Sequence, residues 1–149
     1  MKNIIPILVL VLSGISVSPI TARDVSVSPF RPELRSSSAS DRKLARAFEL
    51  RLSEFPVKCD GVVSRKLSDD TFGLRHQRFI VTLDSGQTLL IAHNVDLAPR
   101  VKPLRIGDRI RIYGEYIWNS QGGLIHWTHR DPDGVGLNGW IKYRGKLYH

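Results

Sequence analysis

The hydrophobic pattern of this chain changes period along its length. Behind Lys2, residues 4–17 form an apolar run relieved only by Ser13, Gly14 and Ser16, and the small residue Ala22 precedes Arg23. A charged start, a short apolar centre and a small residue at the end form the layout of a secretory signal peptide. The run is shorter than the roughly 20 residues a membrane span needs. Residues 1–22 are therefore expected to be removed on export, with the periplasm or the extracellular space as destination. Residues 23–40, rich in Ser, Pro and Arg, show no period and predict a flexible leader. Leu44, Phe48, Leu52 and Phe55 then recur at helical spacing, with Ser40 or Asp41 as N-cap and Pro56 as the stop. This predicts a short amphipathic helix over 41–56 with Arg42, Lys43, Arg46 and Arg51 on its other faces.

From Val57 the period falls to two. Short apolar or alternating runs at 61–67, 77–83, 88–93, 109–118 and 124–129, then GWIKYRGKLY, are separated by turn residues and predict strands. Asp84, Ser85 and Gly86 join the second and third into a hairpin. Pro99 and Pro103 make the connection after Asn94 irregular, Gly114 permits a bulge or sharp coil, and the last segment reads as one strand or a hairpin around Gly145. The fold class is mainly β: a five- to six-stranded OB-like barrel over 57–149, preceded by the helix. Within it, LRIGDRIRIYGEY resembles the Gly-Asp-led fourth strand common in OB-fold proteins.

Composition sharpens this picture in two respects. The single cysteine, Cys59, forms no internal disulfide, so packing must supply the stability; the thiol is either reactive or a small core group, and its place beside an apolar strand favours the core. The formal net charge is +8, and 57–149 carry fourteen basic against nine acidic residues. A basic surface attracts phosphate backbones, acidic glycans and anionic lipid. Scattered arginines are equally ordinary in exported proteins that bind none of these.

Reactive side chains concentrate in 114–134, GEYIWNSQGGLIHWTHRDPDG, which holds two tryptophans, two histidines and a DPDG turn in one predicted hairpin. Strand alternation places His126 and His129 on opposite faces, so they can act together only if the strand breaks between them. With such a break, His129 and Asp131 can turn back at the barrel rim beside His93, the end of a neighbouring strand. His93, His126, His129 and Asp131 then form a candidate set for zinc or another divalent metal. No HxH, HExxH or CxxC spacing supports it. The plainer account is that the imidazoles hydrogen-bond across the rim while Asp131 organises the DPDG turn. Glu115 is the candidate general base if it faces a groove beside a histidine, and a surface partner of arginine otherwise. For binding, Trp118 and Trp127 can stack rings while Arg78, Arg109, Arg111 and Arg130 supply cations, as the exposed face of an OB-type barrel does. About half of the aromatics in the last third are expected in the core.

The runs HNVDLAPRV and HWTHRDPDG, within a longer similarity over 61–148, resemble the domain of unknown function 3465 family of exported bacterial proteins. The resemblance implies the barrel and export but no activity. The pattern departs at Arg130, where the resemblance leads one to expect a further histidine.

Three functions stay open on these residues. The leading one is an exported, non-enzymatic binding module for an anionic polymer, glycan, nucleic acid or protein of the envelope. The second is a metal-dependent hydrolase or phosphodiesterase at HWTHRDP, and the third a structural envelope protein. With no P-loop, GxGxxG or GxSxG, a nucleotide cofactor and a serine nucleophile have no support; a divalent metal is the one cofactor the sequence leaves open.

Overall fold

A computed structural model of the chain describes residues 37–149. The expected signal peptide, and the expected leader up to residue 36, lie outside the described residues. Among the described residues no helix is long and apolar enough to cross a membrane.

Helix α1 (Ala39–Glu49) opens on Ser38, whose hydroxyl accepts the Asp41 amide at 3.0 Å. The cap is thus Ser38, not Ser40 or Asp41, and the last two residues of the expected leader are helical. The helix also stops at Glu49 instead of running to Pro56. Leu44 and Ala47 are buried, whereas Leu52 is half exposed. The reason is tertiary: Phe55, Pro56 and Val57 pair with Tyr116, Glu115 and Gly114, so strand pairing takes residues whose spacing alone reads as helix. Arg51 and Glu54, both at positive φ, turn the chain between the two elements.

Seven strands follow: β1 (Phe55–Lys66), β2 (His76–Thr82), β3 (Thr88–Asn94), β4 (Arg109–Ile117), β5 (Leu124–His126), β6 (Trp140–Tyr143) and β7 (Lys146–Tyr148). Their order is β1-β2-β3-β5-β4, with β4 returning to β1, and β3 and β5 run parallel. This is a closed five-stranded barrel of OB-like order, extended at β4 by the hairpin β6–β7 around Gly145. Alternate residues turn inward: Val57, Cys59 and Val63 from β1, Phe79 and Val81 from β2, Leu89 and Ile91 from β3, Ile110, Ile112 and Tyr116 from β4. Cys59 is therefore a core residue, and burial, aided by the Asp41 and Asp60 carboxylates, pushes its thiol up to about 12.

One edge of β4 is shared. Its residues Glu115, Tyr116 and Ile117 pair with β5, while Arg111, Ile112 and Tyr113 pair with β6. Gly114 lies at the handover, and a Cβ there would come within 2.4 Å of the His126 carbonyl oxygen and 2.7 Å of Ile125 Cγ2. Residues 127–139 are thus an excursion from a continuous edge, and it is this excursion that carries WTHRDPDG.

Candidate functional site: a rim cleft walled by imidazoles and Trp127

Strand β5 ends at His126 because Trp127 enters the left-handed region with φ 48°. A bulky non-glycine residue holds that conformation only where its surroundings enforce it. Here the Trp127 carbonyl lies so close over Gly139 that a Cβ on Gly139 would fall 1.8 Å from the oxygen, and Gly114 admits the preceding turn of chain. The break abolishes the strand parity that would separate His126 from His129. Both now line one cleft of about 200 Å³, together with Leu74, His76, Ala92, Asn94, Leu97 and Trp127. The Trp127 ring stands between the two imidazoles, 6.0 Å from His126 and 5.4 Å from His129 between centroids.

The hydrogen bonds fix what each ring offers. His93 is fully buried beneath the cleft, its Nε2 3.1 Å from the Pro99 carbonyl and its Nδ1 2.9 Å from the Thr128 hydroxyl. A carbonyl only accepts, so Nε2 carries the proton and the Thr128 hydroxyl donates to Nδ1. Burial, reinforced by nearby His129 and His76, drives the His93 pKa down to about 4, so the ring is neutral at physiological pH. His129 donates Nδ1–H to the Arg130 carbonyl at 2.7 Å. His126 Nε2 is 2.9 Å from Glu115 Oε2, across the register pair that joins β5 to β4.

The predicted metal set does not assemble. Both nitrogens of His93 are committed, and Asp131 turns to the backbone, accepting the amides of Val135 at 2.9 Å, Gly136 at 2.5 Å and Asp133 at 3.4 Å. These amides, Gly136 foremost, hold its carboxyl below the usual carboxylate range. Among the described residues no group of three or more His, Cys, Asp or Glu has the arrangement of a metal site. Asp131 is the organiser of its own turn.

The binding candidates divide. Trp127 lines the cleft with its side chain 41% exposed. Trp118 does not reach the cleft; it packs on α1, stacking on Phe48 at 6.3 Å and donating Nε1–H to the Phe48 carbonyl at 3.1 Å, with Arg51 over its ring. Arg109 pairs with Asp84 and Arg111 with Asp60 on the outer face of β4. Arg78 donates to the Ser68 carbonyl and Arg130 to His149 Nδ1, so neither lines the cleft. Of the aromatics in the last third, Tyr116, Tyr143 and Tyr148 are core, whereas Tyr113, Trp118, Trp127 and Trp140 are not fully buried.

His76 and Asn94 escape the sequence reading, yet they face each other across the mouth of the β2–β3 hairpin. The signal was present: with the turn at Asp84–Gly86 placed, counting outward pairs His76 with Asn94. Leu74 and Leu97 belong to irregular loops, and no periodicity marks them.

Fold and site together define a small OB-like barrel with a ring-sized cleft on its rim. The chain belongs to the family described as "Protein of unknown function (DUF3465)", whose pattern matches residues 30–149. No curated protein matches the chain.

Proposed function

We propose that this protein is an exported, non-enzymatic binding module whose ligand site is the cleft around Trp127. Exposed Trp127, wedged between His126 and His129 in a strained backbone held by Gly139, carries this reading. Strain of this kind is kept where a side chain must be presented in one orientation. At about 200 Å³ the cleft is smaller than the roughly 300–1,000 Å³ typical of pockets for whole drug-sized ligands, which suits a single ring or the end of a longer chain. Export rests on residues 1–22, and cleavage after Ala22 is expected in the mass of the protein recovered from the envelope or medium.

The test is amide chemical-shift mapping with a short neutral oligosaccharide, an oligouronate and a thymidine octanucleotide. Shifts centred on His76, Asn94 and 126–129 are expected with at least one of them. Shifts confined to Arg109 and Arg111, or none with any probe, would contradict the reading.

The 2.9 Å contact of Glu115 with His126 favours a second reading, a metal-independent hydrolase with this pair as general base. Turnover of a bound probe by the wild type, lost in Glu115→Gln while binding persists, would establish it.

A further inference from the structure

We propose that the cleft selects a neutral, hydroxyl-rich ring, one hexopyranose unit of a glycan, over an anion. The inference rests on the cleft being the binding site and adds the chemical class of the ligand.

Hydrogen-bond polarity carries the argument. With Nδ1–H given to the Arg130 carbonyl, Nε2 is the free nitrogen of His129, an acceptor while the ring carries one proton. With Nε2–H given to Glu115, Nδ1 is the free nitrogen of His126, an acceptor on the same condition. Neither of these nitrogens has a protein partner, and among the described residues Gln87 Oε1 alone is both buried and unpartnered, so both nitrogens are open to solvent. His76 and the Trp127 indole each add a ring N–H to the lining, and Asn94 adds an amide donor. Its Oδ1 is committed to the amides of Asp96 at 2.9 Å and Leu97 at 3.2 Å, which leaves its NH₂ unpartnered and, by the same reasoning, accessible.

A wall that mixes acceptor nitrogens with N–H donors is a poorer match for phosphate and carboxylate, which only accept and are held best by donors backed with positive charge. Lysine and arginine are absent from the lining, and Arg109 and Arg111 are paired elsewhere. A hydroxyl donates and accepts at once, so a sugar satisfies both kinds of wall atom. Trp127, with Leu74, Leu97 and Ala92, offers the apolar surface against which the C–H face of a pyranose packs. OB-type barrels take oligosaccharides as well as oligonucleotides on the face of their second and third strands, and His76, Ala92 and Asn94 of this cleft come from β2 and β3.

The experiment is calorimetric titration of the full-length protein, with chemical-shift mapping, against neutral tetrasaccharides (β-1,4-glucan, α-1,4-glucan, β-1,4-mannan and chitotetraose). Tetragalacturonate, a thymidine octanucleotide and Zn²⁺ alone are the comparison arms. At least one neutral tetrasaccharide is expected to bind ten times or more tighter than tetragalacturonate and to shift residues 126–129. Trp127→Ala should weaken that binding about tenfold or more and Trp127→Phe should largely retain it, each variant checked by its melting temperature. Tetragalacturonate or the octanucleotide shifting 126–129 while every neutral saccharide fails would overturn the inference and leave the cleft as the binding site. Zn²⁺ alone shifting these residues, with every saccharide inert, overturns it in favour of a metal. No shift from any arm overturns both the inference and the proposed function.

Discussion

His93 shows how much depends on one buried side chain. Its pKa near 4 in the fold against an ordinary 6.5 means that the unfolded chain binds a proton the folded one refuses. Its contribution is therefore complete above about pH 6.5 and lost as pH falls toward 4, on the order of 3 kcal/mol at one pH unit per 1.36 kcal/mol. Urea unfolding at steps between pH 7 and 4 should follow this slope, and His93→Gln should flatten it. The depressed carboxyls of Asp69, Asp108 and Asp131 act lower, their contributions being lost below pH 4. Cys59, with a thiol near 12 and 1% exposure, should resist Ellman's reagent at pH 8 in the native state and react at once in denaturant. Gly114→Ala would drive a methyl into the His126 carbonyl and Ile125; a loss of about 2 kcal/mol is expected by denaturant unfolding, together with shifts at His126.

At the scale of elements, the strands were legible where both faces are specified. Arg109–Ile117 alternates cleanly because one side meets the core and the other meets solvent, and its period survives folding intact. The helix end was not legible. Leu52 and Phe55 continue a helical spacing by coincidence, while the pairing of β1 with β4 depends on residues some sixty positions away. The break after His126 was foreseeable only as a condition, since nothing local to Trp127 calls for positive φ; distant Gly139 and Gly114 make the room it needs. Trp118 misled for a related reason: an aromatic in a rim loop reads as a ligand platform until the helix that covers it is placed. Its role can be measured. Trp118→Ala should cost about 2 kcal/mol and raise amide exchange chiefly in α1, because the residue stacks on Phe48 and bonds its carbonyl.

For the whole molecule, the excess of basic residues is the feature that changes most in meaning. As composition it points to anionic partners, yet in space no lysine or arginine lines the cleft, and Arg100, Arg109, Arg111 and Arg144 are paired with Asp69, Asp84, Asp60 and Asp108. What the barrel offers at its rim is a recess lined by imidazoles, Asn94 and Trp127, with no lysine or arginine in its lining, built where one edge of β4 passes from β5 to β6. That polarity can be read without any ligand. Long-range ¹H–¹⁵N spectra of the histidine rings, recorded above pH 7, report which nitrogen of each carries its proton. The account predicts Nε2–H at His93 and His126 and Nδ1–H at His129; protons on Nδ1 of His126 and Nε2 of His129 would contradict it.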